Sequence, residues 1–180
     1  MRADDEAAFE AFVAERSGDL LGTAVLLTRD RHHAEDLVQT ALVKAYRRWS
    51  RITGTDPYPY VRRVLVTSAA SWRRLRGTQE IVSLPAHDPA GPDETEAFAE
   101  RDRMTEALAM LPARMRAVLV LRYAEDLSEA ATAETLGCSV HTVRSQTVRG
   151  LARLRTVLAS TTPGASTPGT TAPVIVLEEC

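Results

Sequence analysis

SEAATAETLGCSVHTVRSQTVRGLARLR, residues 128–155, decides the fold. Ser128 is a short acceptor suited to cap a helix, and Glu129 sits in the first turn, where the helix dipole favours an acid. Ala130, Ala133 and Leu136 recur at helical spacing and predict an inward face. Gly137 supplies the left-handed residue that ends one helix, and Ser139 caps the next. Val140, Val143, Leu151, Leu154 and Leu158 form the predicted buried stripe of that second helix. Two helices meeting at a glycine fit a helix-turn-helix. The outward face of the second begins His141, Thr142, Arg144, Ser145 and Gln146, with Arg149 one turn later. Arg grips guanine O6/N7 or a phosphate, Gln reads adenine, and such a helix end suits the major groove. An ordinary αα-hairpin with a solvated basic face has the same spacing. Gly150 inside the second helix costs about 1 kcal/mol against Ala, which a close approach to a neighbouring helix would justify.

Charge along the chain weighs toward a polyanion. The net charge of the 180 residues is −2, yet no acidic side chain lies between Glu134 and Glu178. Nine basic residues and one acid, Asp56, lie between Lys44 and Arg76, whereas eight acids and two Arg lie between Glu80 and Glu106. Basic, acidic and basic blocks in turn predict two polyanion-facing surfaces with a solvated spacer between them. All but one of the 22 basic residues are Arg, a bias that a GC-rich genome explains as well as a function does.

The rest of the chain reads as helices. Asp4–Val13 opens one, with Phe9, Phe12 and Val13 on a face, and Leu20, Leu21, Ala24, Val25 and Leu27 continue the apolar pattern after Gly18. The clearest helix runs from His33 to Ser50, with Ala34, Leu37, Val38, Ala41, Leu42, Ala45, Tyr46 and Trp49 inward. A Gly/Pro-rich loop over 52–60 precedes a helix from Pro59 to Leu75. That helix is predicted to bury Val61, Val64, Leu65, Ser68 and Trp72 and to turn Arg62, Arg63, Arg73 and Arg74 outward. From Ala97, Met104, Leu108 and Leu111 give one stripe, and Met115, Val118, Leu119 and Leu121 another. The expected fold is all-α. Two small helical domains, 5–76 and 98–158, are joined by an acidic flexible linker, 77–97, and followed by a disordered tail, 159–180.

Other function classes find little support. No apolar run approaches the ~18 residues of a membrane span, and the acidic N-terminus is no signal peptide, so a cytoplasmic protein without membrane insertion is expected. Cys138 and Cys180 define neither a metal spacing nor a disulfide framework, and Cys138 is expected to be a small buried residue. His32, His33, His87 and His141 lack a metal-spaced partner or a nucleophile–base signature, so no catalytic residue, metal or cofactor is expected.

Two motifs in order narrow the reading. AEDLVQTALVKAYRRW (34–49) resembles region 2.2 of bacterial sigma factors, and residues 111–155 resemble their region 4. The linker between them and the missing middle domain resemble the extracytoplasmic function (ECF) branch of the sigma-70 family, and QTVRGLARLR resembles an actinobacterial variant. The resemblance implies a transcription initiation factor with no catalysis of its own. In it, Asp36, Gln39 and Thr40 would bind the β′ clamp helices of core RNA polymerase, with Arg47 and Arg48 nearby, and the β flap would be a second polymerase contact. The loop Ser50–Pro59 and the helix Tyr60–Arg76 would read and melt the promoter −10 element. Tyr60, Arg62, Arg63, Thr67, Arg73 and Arg74 are the residues for that task, the arginines on phosphates and Tyr58, Tyr60 or Trp72 as stacking faces. For Trp72, core packing is the expectation. His141, Thr142, Arg144, Ser145, Gln146 and Arg149 would read the −35 duplex. The linker would thread toward the RNA-exit path, and an anti-sigma factor is a further partner class. Thr67 stands where many family members carry Asn, and Ala131 where the scaffold helix often carries Glu. The alternative reading is a helix-turn-helix regulator that acts without joining polymerase.

Overall fold

The computed structural model describes residues 3–52, 54–76 and 96–161. Helix α1 runs without interruption from Ala3 to Thr28. Gly18 does not interrupt it, because α1 buries Phe12, Leu20, Ala24 and Leu27 along one side. A glycine costs about 1 kcal/mol in a helix, whereas one buried Leu contributes about 1.5–3 kcal/mol. Arg29 turns the chain in a left-handed conformation, φ 67°. Asp30 then caps α2, Arg31–Tyr46, by accepting the His33 amide at 3.0 Å. α2 therefore starts two residues before the expected His33, and it ends before the Arg47–Arg48 turn. The short α3, Trp49–Ile52, places the Trp49 ring edge-on against Phe9 at 5.0 Å. Asp56 accepts the Tyr58 amide and starts α4, Tyr58–Arg76. α1, α2 and α4 pack on one another. α4 buries Val61, Leu65, Val66 and Ala69.

The second half contains α5, Glu96–Ala109, and α6, Ala113–Leu119, which continues into a π-helical segment, Val120–Ala124. α7, Glu129–Leu136, and α8, Val140–Thr161, follow. The expected caps are all present. Ser128 Oγ accepts the Ala131 amide at 3.1 Å, Gly137 is left-handed at φ 63°, and Ser139 Oγ accepts the Thr142 amide at 3.1 Å. The buried side of α7 differs from the expectation: Ala130 is exposed, and Thr132, Ala133 and Thr135 are buried. α7 is packed by α8 and also by α4, so its covered face is wider than one hairpin requires and is shifted toward the threonines. Gly150 does make the close approach anticipated for it. A Cβ there would lie 3.2 Å from Leu119 Cδ1.

The two halves share one core. A single apolar cluster includes Leu20 and Leu27 of α1, Leu65 of α4, and Leu108, Leu111 and Leu119–Leu121. At its centre Arg116 is 1% exposed. Its guanidinium donates to the carbonyls of Leu108, Ala109 and Leu111, at the end of α5, and to that of Leu27, near the end of α1. One cation thus binds carbonyls at two helix C-termini, where the dipole also favours positive charge. Among the described residues there is no strand, and no helix is long and apolar enough to cross a membrane. The expected linker, except its last two residues, and the expected tail from residue 162 lie outside the described residues.

Candidate nucleic-acid interface

α8 presents most of the expected duplex-reading face. His141, Arg144 and Arg149 are exposed, and Thr142, Ser145 and Gln146 are half-buried. Ser139 positions the start of this face by bonding both the amide and the hydroxyl of Thr142. Arg144 Nε donates to Glu129 Oε2 at 2.6 Å, so α7 holds the arginine in place before any ligand arrives. Gln146 departs from the expectation in part: its Oε1 is buried with no hydrogen-bond partner among the described residues, so the amide is turned toward the helix packing. Cys138 is half-buried beside Val118, Ala133 and Val143 rather than fully enclosed.

α4 divides the second group. Arg63 and Thr67 are exposed, and Tyr60 is half-buried against the core. The Thr67 hydroxyl donates to Arg63 O at 2.7 Å and lies 3.2 Å from Val64 O, so its own helix occupies it. Arg73 and Arg74 lie on α4, but their side chains, like that of Trp72, fall outside the described residues. Arg62 does not take the outward position expected of it. Its side chain is 10% exposed, and Nη1 donates to Glu125 Oε2 at 3.3 Å. The physical cause is the second half of the chain, which covers α4 with α6 and α7.

Glu125 is the centre of a polar cluster that the sequence did not reveal. Its side chain is 7% exposed. It accepts from the Thr23 hydroxyl of α1, from Arg62, and from the Tyr58 hydroxyl, which lies 3.2 Å from each carboxylate oxygen. Tyr58 also lies under two cations, with Arg16 and Arg62 at 5.4 and 5.5 Å from the ring centroid. Burial pushes the Tyr58 phenol up to about 12, aided by the Glu125 charge and hydrogen bond and by Asp19, and opposed by Arg62. The π-helical segment and a left-handed Asp126, φ 47°, aim Glu125 at this cluster. These partners lie 63 to 102 residues from Glu125, beyond the reach of any local pattern.

α2 carries the remaining candidates. Asp36, Gln39 and Thr40 are all exposed, and the i, i+3, i+4 spacing places them on one face. Val43, 50% exposed, extends that face by a turn and was not singled out from the sequence, because it falls outside the apolar stripe. Arg47 and Arg48 are exposed at its end. One turn beyond Thr40, at the edge of the same face, Lys44 Nζ reaches Ser68 Oγ of α4 at 3.4 Å.

Known proteins share both halves. The sigma-70 region 2 family model matches residues 12–78, and the sigma-70 region 4 model matches residues 101–154. The RNA polymerase sigma-E factor of Streptomyces avermitilis is 39% identical over 153 residues, which cover 84% of this chain and 86% of that protein. The ECF RNA polymerase sigma factor SigL of Mycobacterium tuberculosis is 29% identical over 164 residues, covering 87% and 92%. Among solved structures, the sigma factor RpoE from Bartonella quintana, crystallised with the anti-sigma factor NepR, matches with a TM-score of 0.70. That match is 25% identical and covers 86% of this chain and 99% of that one.

Proposed function

Since the chain belongs to the ECF branch of the sigma-70 family of RNA polymerase sigma factors, we propose that it directs core polymerase to promoters through three separate faces. Asp36, Gln39 and Thr40, extended by Val43, dock α2 on the β′ clamp helices. Tyr60, Arg63, Thr67, Arg73 and Arg74, with Arg62, handle the −10 element, the arginines on strand phosphates. His141, Thr142, Arg144, Ser145, Gln146 and Arg149 read the −35 duplex, and the second domain meets the β flap. The domains are 5–76 and 98–158, joined by the linker 77–97. The chain acts in the cytoplasm as an initiation factor rather than an enzyme. An anti-sigma factor is the regulator class best supported, because the RpoE of Bartonella quintana was solved with one.

The observation that carries this reading is the coexistence of both family regions in one chain, each with exposed candidates on its own helix. It disfavours a helix-turn-helix regulator that acts alone, which has no use for the α2 face. Run-off transcription with core polymerase and a promoter library tests it. The chain should confer promoter-dependent initiation, and Asp36→Arg should weaken co-purification with core polymerase at least tenfold. Normal association of that variant would remove α2 from the polymerase interface.

A further inference from the structure

The Glu125 cluster joins donors from one half of the molecule to an acceptor from the other. Thr23, Tyr58 and Arg62 all belong to α1 and α4, and the carboxylate they bind belongs to the segment that leads into α7. The carboxylate is an imperfect occupant. The Arg62 contact is 3.3 Å, long for a charge-assisted bond, which is typically about 2.7–2.9 Å. Arg62 Nε is buried with no acceptor among the described residues. The Tyr58 hydroxyl is shared between both oxygens at 3.2 Å instead of settling on one. Two hydroxyls and a forked guanidinium with a spare N–H have more donors than a carboxylate in this pose satisfies. They suit an oxyanion with more acceptor oxygens.

The surroundings favour an anion too. Arg16 and Arg62 both lie over the Tyr58 ring, and Asp19 pairs with Arg16 at 3.5 Å. Arg16 also pairs with Glu15 at 3.2 Å, so the cation that Glu125 leaves without an acid among the described residues is Arg62. Closure and promoter binding also conflict in space. In the closed chain α4 is covered by α6 and α7.

Resting on the promoter-binding reading above, we propose that Thr23, Tyr58 and Arg62 form an oxyanion site for a backbone phosphate of the −10 strand, and that Glu125 occupies it in the closed chain as an internal competitor. Strand binding and domain closure then exclude each other at one site. Opening also exposes part of the apolar cluster that the halves share and exchanges the Arg116 bond to Leu27 O, 2.7 Å, for water, and the two together set a threshold against spurious opening.

The full-length chain tests this without polymerase. Affinity for a single-stranded −10 oligonucleotide is read by fluorescence anisotropy, and domain separation by small-angle scattering. Glu125→Gln keeps the shape and removes the charge. It should raise strand affinity at least fivefold and increase the radius of gyration. Adding the oligonucleotide to the unmodified chain should produce the same expansion. Thr23→Val, in the Glu125→Gln background, should lower strand affinity at least threefold without altering the far-UV spectrum, which keeps the test open if Arg62 variants fold poorly. Expansion of Glu125→Gln with unchanged strand affinity would reduce Glu125 to a fold staple and overturn the proposal. Expansion by inorganic phosphate at equal phosphate concentration and ionic strength, as large as that by the strand, would overturn the strand assignment. Run-off transcription by the unmodified chain tests the parent reading separately, so the two failures are distinguishable.

Discussion

Tyr58 holds its proton more tightly than a free phenol, with a pKa raised from 10.0 to about 12 by burial and by the Glu125 carboxylate. A group whose folded pKa lies above its unfolded value stabilises the fold below the unfolded value. That contribution is lost as pH rises through the folded one. Tyr58 should therefore support the fold fully below about pH 10 and cease to do so by about pH 12. In an alkaline titration followed by far-UV circular dichroism, Tyr58→Phe should lose less stability across that window than the unmodified chain. Equal losses would show that the phenol does not titrate in the fold. Arg144 illustrates a different residue-level balance. Its bond to Glu129 is short, 2.6 Å, but both partners are substantially exposed, and such pairs contribute under about 1 kcal/mol. DNA can therefore displace Glu129 at little cost. Arg144→Ala should reduce the log-affinity against log-salt slope for −35 duplex by about 0.9 if the arginine meets a phosphate. An unchanged slope would place it on a base edge or off the DNA.

Helices α1 and α8 each carry interior glycines, and their environments predict opposite responses. A Cβ at Gly18 meets nothing within 4 Å among the described residues, so Gly18→Ala should gain about 0.5–1 kcal/mol in urea unfolding from backbone entropy alone. At Gly150 the same methyl would press on Leu119 at 3.2 Å, and Leu119 is 3% exposed with little room to retreat. Gly150→Ala should give no gain, and Gly150→Val should destabilise by about 1–3 kcal/mol through overpacking. A gain at Gly150 equal to that at Gly18 would show that α6 yields. The elements also differ in how far they were legible. Ser128, Gly137 and Ser139 were readable because a cap is a contract between residues two or three positions apart. The unbroken α1 was not, because its continuity through Gly18 depends on partners in α2, α4 and α5. For the same reason the buried Arg62 and the role of Glu125 escaped the sequence. An arginine on a helix face reads as solvated unless a carboxylate 63 residues away is known to cover it. The exposed triplet Asp36, Gln39 and Thr40 was legible, since exposure on α2 is the complement of a regular apolar stripe.

Across the whole molecule the two halves are tied by the common apolar cluster, by Arg116 and by the Glu125 contacts, with an exposed Arg29–Glu106 pair at 3.2 Å adding little. Equilibrium unfolding should consequently be one cooperative event. Both tryptophans, Trp49 and Trp72, lie before the linker, so their fluorescence reports the first half, whereas helicity by circular dichroism reports both. The two transitions should coincide in urea, and a separation of midpoints would show that the halves unfold independently.

Arg116 has one more consequence. Its acceptors at Leu27, Leu108, Ala109 and Leu111 are all main-chain carbonyls, so the bonds do not depend on which side chains those positions carry. Evolutionary drift is thereby made lopsided. The four acceptor positions can exchange one apolar residue for another of similar size and keep the junction intact, while the arginine that joins them has no substitute with the same fork of donors.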